Sequence, residues 1–133
     1  MYLLDTDILF ELFKNKPSEN VVGWCNAVPS KSLYISVISL GILKNKIEKN
    51  SYIQQRSLLI CWLQTHFIKW FGNNILPIDI KITQRWGDFC FLENDTNILS
   101  KLIAATAIEQ NFVLVTSSMH YNQDGLKLFN PFI

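Results

Sequence analysis

The chain has 133 residues, 49% of them hydrophobic and 17% charged, a balance that excludes an extended disordered polymer and fits a globular protein with a sizeable core. Its 12 basic and 11 acidic residues nearly cancel, which excludes a chain-wide positive field for nucleic acid, so any RNA contact has to be local. Cys25, Cys61 and Cys90 lie far apart without metal-type spacing, and His66 and His120 do not complete a zinc set with them; reduced, mostly structural thiols in a cytoplasmic protein are expected.

Tyr2 to Leu4 form a short apolar run that ends at Asp5. Asp7 then precedes Ile8, Leu9, Phe10, Leu12 and Phe13, spaced for a helix with a broad buried face, so the opening reads as strand, turn, helix. An acid at position 5 with no basic residue before it does not read as a secretory signal. Asn20 to Ala27 predict a second short helix, closed by Pro29. Leu33 to Ser36 read as a strand, and Val37 to Lys49 as an amphipathic helix with Lys44, Lys46 and Lys49 on a wet basic face.

Tyr52 to Trp70 carry Leu58, Leu59, Trp62, Leu63 and Phe67 at helical offsets and predict the long second member of a helix pair, broken by Gly72, Asn73 and Asn74. Its most apolar part, Ser57 to Phe71, is interrupted by Gln64, His66 and Lys69 and falls short of the roughly 20 apolar residues a bilayer span needs. Ile75 to Ile78 form a strand-like run, and Asp79 stands where it can cap a helix containing Ile82 and Trp86. Phe91 to Asn97 read as a polar loop, and Ser100 to Gln110 as a buried helix with almost no polar face. Phe112 to Val115 are an unbroken strand-favouring run typical of an interior strand, and Leu126 to Phe129 supply a last strand before Pro131. Of the four tryptophans, core placement is expected for most, with Trp70-Phe71 partly exposed.

Strands alternating with helices predict an α/β fold: a central parallel sheet of about four or five strands flanked by helices, in one domain over residues 1–133. The site is expected at the carboxyl ends of the strands, where Asp5, Ser36 and Thr116 fall.

Five segments, Leu3-Leu4-Asp5-Thr6-Asp7-Ile8-Leu9, Leu33 to Gly41, Ile75 to Asp79 with Arg85-Trp86-Gly87, Leu102 to Ala107, and Leu128 to Phe132, together resemble the successive landmarks of the VapC-type PIN-domain toxins of toxin-antitoxin systems. They stand in the family's order and cover nearly the whole chain. The resemblance implies a magnesium- or manganese-dependent endoribonuclease, usually dimeric and held inactive by a partner antitoxin. Phosphodiester hydrolysis of that kind needs converging carboxylates, because hard oxygen ligands hold the divalent ions that activate water and offset charge.

Carried over residue by residue, the resemblance gives Asp5 as the retained first acid. The position of a second acid holds Ile42 and that of a third holds Ser100, while Ser118 and Tyr121 stand nearest to a further polar position after the strand that ends at Val115-Thr116. Asp5 is then either a residual, vestigial metal ligand or simply a cap on the next helix. Asp7 either approaches the same ion or caps the helix near Ile8, and capping is its expected role. Asp95, or Glu93, could swing in to replace a missing acid, or be a solvated loop acid. His120 is a possible general base or incidental, and Lys14, Lys16, Lys44, Lys46 and Lys49 either line an RNA groove or form soluble surface.

The expected function is a catalytically weak or inactive VapC-like domain acting through protein contacts, as a homodimer or with a VapB-like antitoxin. The alternative is an active endoribonuclease toxin with a rearranged acidic site, for which RNA would be the substrate and Mg or Mn the cofactor. A metal-independent nucleic-acid binder is a third reading, which the near-zero net charge disfavours.

Overall fold

The structure is a computed structural model that describes residues 1–49, 52–92, 97–118 and 120–133, with the side chain of residue 92 left aside. Strand β1 (Tyr2–Leu4) leads into α1 (Thr6–Leu12) and α2 (Glu19–Ala27), and β2 (Leu33–Ser36) into α3 (Val37–Glu48). There follow α4 (Ile53–Trp62), a π-helical turn (Leu63–Phe67), α5 (Ile68–Phe71), β3 (Ile75–Leu76), α6 (Ile80–Leu92), α7 (Ile98–Gln110), β4 (Val113–Val115) and β5 (Lys127–Phe129).

Among the described residues the strands form one five-stranded parallel sheet in the order β3-β2-β1-β4-β5. The chain builds outward from β1 in one direction through β2 and β3, and then returns to place β4 and β5 on its other side. The reversal of strand order therefore lies between β1 and β4, the crevice where an open α/β sheet places its ligands. Successive side chains of a strand point to opposite faces. Leu4 and Val115 accordingly join a core with Ile8, Leu9, Val21, Leu43, Phe67 and Phe71 on one side, while Leu3 and Leu114 pack with Ile103, Ala104, Ala107 and Tyr121 on the other. Ala104 and Ala107 of α7 share that buried cluster with Leu3 of β1 and Leu114 of β4.

Most predicted elements stand within one or two residues of their expected bounds, and Asp79 caps α6 by accepting from the Ile82 N–H at 2.9 Å. Three expectations need correction. The predicted helix from Tyr52 to Trp70 is continuous in backbone conformation but passes through a π turn, which shifts its phase so that Leu63, Phe67 and Phe71 are the buried residues. Its first segment has no fully buried residue: Leu58 is 72% exposed, and Leu59 and Ile60 are half-buried against the core. The tryptophans are not core residues, since Trp24 and Trp86 are half-buried and Trp62 and Trp70 exposed, and Phe71, grouped with Trp70 from the sequence, is buried. A large ring at the rim of a helix layer buries one face and leaves the other wet. Finally, Phe91 belongs to α6 and not to a loop.

Candidate functional site

Asp5 is the first residue past β1. Its backbone is extended (φ −74°, ψ 162°) and its N–H donates to the Val115 carbonyl at 3.0 Å, so the acid is pinned to the end of β4 as well as to its own strand. Asp5, and not Asp7, is the N-cap of α1: its Oδ1 accepts from the Thr6 N–H at 2.7 Å and from the Thr6 hydroxyl at 3.3 Å. Its Oδ2 accepts from the Thr116 hydroxyl at 3.0 Å and the Tyr121 hydroxyl at 2.8 Å.

Asp7 lies in the first turn of α1, where its Oδ1 accepts from the N–H of Ile8 at 2.9 Å. Its Oδ2 reaches across the crevice to the N–H of Ser117 at 2.8 Å and the hydroxyl of Ser117 at 2.5 Å. The helix starts two residues earlier than the apolar spacing suggested, which moves the cap to Asp5 and turns Asp7 toward the end of β4. Thr116 Oγ1 stands between the two acids, 3.3 Å from Asp7 Oδ2, and accepts from the Ser118 N–H at 3.0 Å. With one proton to give, the Thr116 hydroxyl favours Asp5, where the contact is shorter.

Ser100, in the first turn of α7, hydrogen-bonds the Tyr121 phenol. The phenol thus sits between Ser100 and Asp5, donating to the acid. Ile42 lies half-buried on α3 and supplies no oxygen ligand. Ser118 is half-buried and contributes its N–H to Thr116; its own hydroxyl accepts from the His120 N–H at 3.3 Å. Glu93 and Asp95 lie outside the described residues. Of the lysines, Lys14 pairs with Glu11 at 2.9 Å, and Lys46 stands over the Phe10 ring, 3.9 Å from its centre. Ser117 and the bridging role of Tyr121 were not foreseen from the sequence. The only signal was the hydroxyl run Thr116-Ser117-Ser118 at a strand end.

Burial raises the pKa of Asp5 above its ordinary value, and the charge of Asp7 adds to the rise; the hydrogen bonds from Tyr121, Thr6 and Thr116 pull the other way without cancelling it. Burial, and next the charge of Asp5, holds the Tyr121 phenol well above the usual phenol range, so it is a neutral donor at any physiological pH.

A divalent ion needs several free oxygen ligands. An ionised carboxylate has about four lone-pair positions. Asp5 receives four donors, from Thr6 N, Thr6 Oγ1, Thr116 Oγ1 and Tyr121 Oη. Asp7 is similarly engaged by Ile8 and Ser117. Among the described residues no group of three or more His, Cys, Asp or Glu side chains is placed to hold a metal ion. Among the described residues, the carboxylates of Asp5 and Asp7 are engaged in a hydrogen-bonded cluster with Thr6, Ile8, Thr116, Ser117 and Tyr121, and these side chains do not make up the oxygen-ligand set of a divalent cation.

No protein-family model matches the chain. It is 25% identical over 136 aligned positions to VapC ribonuclease Y4jK of Sinorhizobium fredii, an alignment spanning 98% of this chain and 97% of the relative. Among solved structures, that of FitAcB from Neisseria gonorrhoeae superposes with a TM-score of 0.88 at 22% identity, covering 99% of both chains. A toxin-antitoxin complex from Klebsiella pneumoniae gives 0.69 at 22% identity over 98% of both chains. The fold is that of the VapC and FitB PIN-domain proteins, and the resemblance to VapC-type proteins holds from end to end of the chain.

Proposed function

We propose that this chain is a VapC-like PIN domain that is catalytically weak or inactive and acts through protein contacts, in the cytoplasm, as a homodimer or with a VapB-like antitoxin. The observation that carries the reading is the state of Asp5: every lone-pair position of the one retained acid is met by a neutral donor of the chain itself. Ile42 and Ser100, at the family's other acidic positions, bring no negative charge to offset a cation. Asp5 then serves to cap α1 and tie β1 to β4.

A partner-binding role is supported by an apolar cavity of about 400 Å³ lined by Leu9, Leu12, Phe13, Trp62, Phe67 and Trp70, between α1 and the helices that follow α3. Exposed tryptophans beside apolar walls are the anchors a partner's amphipathic segment uses. We assign the cavity to an antitoxin-like partner because the Klebsiella pneumoniae neighbour is a toxin-antitoxin complex.

The alternative reading is an active Mg- or Mn-dependent endoribonuclease in which Asp7, or Asp95, joins Asp5. It is favoured by the approach of Asp5 and Asp7 to the shared Thr116 hydroxyl and by the name of the Sinorhizobium fredii relative. The two readings separate on purified protein incubated with a broad RNA set in magnesium or manganese. The silent domain leaves the RNA as intact as Asp5→Ala does. Metal-dependent cleavage that Asp5→Ala abolishes, together with growth arrest on expression, would establish the nuclease instead.

A further inference from the structure

Tyr121 lies between β4 and β5 and is itself in no helix or strand, yet it is only 8% exposed. Its ring packs in the cluster of Leu3, Ile103, Ala104, Ala107 and Leu114, which fixes where the phenol oxygen goes. That oxygen donates to Asp5 Oδ2 at 2.8 Å and is hydrogen-bonded by Ser100. A neutral hydroxyl therefore occupies the space between the retained acid and the serine at an acidic position of the family.

We infer that Tyr121 is a built-in competitor for divalent cation at Asp5, the phenol holding the carboxylate oxygen that a cation would need, so that the two exclude each other. The inference rests on the assignment of Asp5 and Ser100 to the family's acidic positions made above. A neutral phenol bound through its proton cannot at the same time leave that oxygen open, and conversion to a phenolate ligand is opposed by burial and by the neighbouring Asp5 charge. A cation reaches Asp5 only in the fraction of molecules whose Tyr121 has left, and the apparent affinity falls by that fraction. Leaving requires giving up the bonds to Asp5 and Ser100 and exposing a packed ring. Tyr121 is in no strand or helix, so its side chain can turn away without breaking the sheet.

The test is titration calorimetry with Mn²⁺ alone on wild type, Tyr121→Phe and Tyr121→Ala, each checked for its fold by circular dichroism. The first variant removes the donor and keeps the ring; the second also makes room. At least a tenfold gain in Mn²⁺ affinity in either variant, lost again when Asp5→Asn is added, is expected. Equal affinities in all three proteins overturn the inference. Should neither variant fold, wild type carrying ¹³C-labelled tyrosine is titrated with Mg²⁺. Ring signals of Tyr121 that move in step with binding support the competition, as does the absence of binding while those signals stay fixed; binding through Asp5 with the signals fixed refutes it. The affinity ratio is read on metal alone, so RNA cleavage by wild type would overturn the proposed silent function and leave this competition standing. Equal affinities with no cleavage would do the reverse.

Discussion

Thr116→Val tests the cluster at its centre with little change of shape. Thr116 is 2% exposed and follows β4, where a β-branched valine fits the same volume, so the substitution removes little beyond the hydroxyl. Lost with it are the 3.0 Å bond to Asp5, the longer contact to Asp7, and the acceptor of the Ser118 N–H. A hydrogen bond to an ionised group contributes about 1.5 to 3 kcal/mol, and because Asp5 Oδ2 keeps Tyr121 the lower end, about 1.5 to 2 kcal/mol, applies. An unfolding entropy of about 2.1 cal/mol/K per residue gives roughly 0.28 kcal/mol/K for this chain, so Tm should fall by about 5 to 7 °C at pH 7. The loss depends on the charge of Asp5. A carboxyl whose folded pKa is raised adds stability that is fully present below its unfolded value, 3.8, and lost as the pH rises through the folded value. Removing a donor to the ionised form raises the folded pKa further, so the gap between variant and wild type should be widest at neutral pH and close as the solution is acidified toward pH 4. Calorimetric melts across that range decide it. Equal Tm values at pH 7, or a gap that widens in acid, would refute the assignment of Thr116 as a donor to ionised Asp5.

Asp79→Ala removes the side-chain acceptor at the start of α6 and should cost about 1 kcal/mol in urea unfolding with an unchanged m-value. Asn111 ends α7 in the left-handed region (φ 58°), so Asn111→Val should cost about 1 to 2 kcal/mol by the same measurement, while Asn111→Gly should cost far less. Trp70 is 59% exposed at the rim of the apolar cavity; Trp70→Ala should leave stability within about 0.5 kcal/mol of wild type yet weaken capture of a co-expressed antitoxin-like partner at least tenfold.

The order of elements was legible because it follows from local pattern. Leu33 to Ser36 and Phe112 to Val115 alternate or run apolar between clear breaks, and the sheet then orders itself around β1. The π turn was not legible, since Leu58 and Leu59 satisfy helical periodicity as well as Leu63 and Phe67 do; only tertiary packing selects the latter pair. The carboxyl-end position of Asp5 and Thr116 could be read from strand ends. Which acid caps α1 could not, because Asp5 and Asp7 are both good caps, and the choice is made by the bonds that Asp7 forms with Ser117, some 110 residues away. Tyr121 was found as a position but not as a bond: its distance in sequence from Ser100 and Asp5 hides a contact that exists only once α7 and β4 are packed.

The central claim is that Asp5 is held by the chain's own donors and not kept open for a cation. A crystal soaked in millimolar Mn²⁺ and measured at the manganese absorption edge tests it most directly. No anomalous peak is expected at Asp5, with the Tyr121 oxygen still about 2.8 Å from Oδ2. A fully occupied peak bound to Asp5, with Tyr121 turned away, would contradict it.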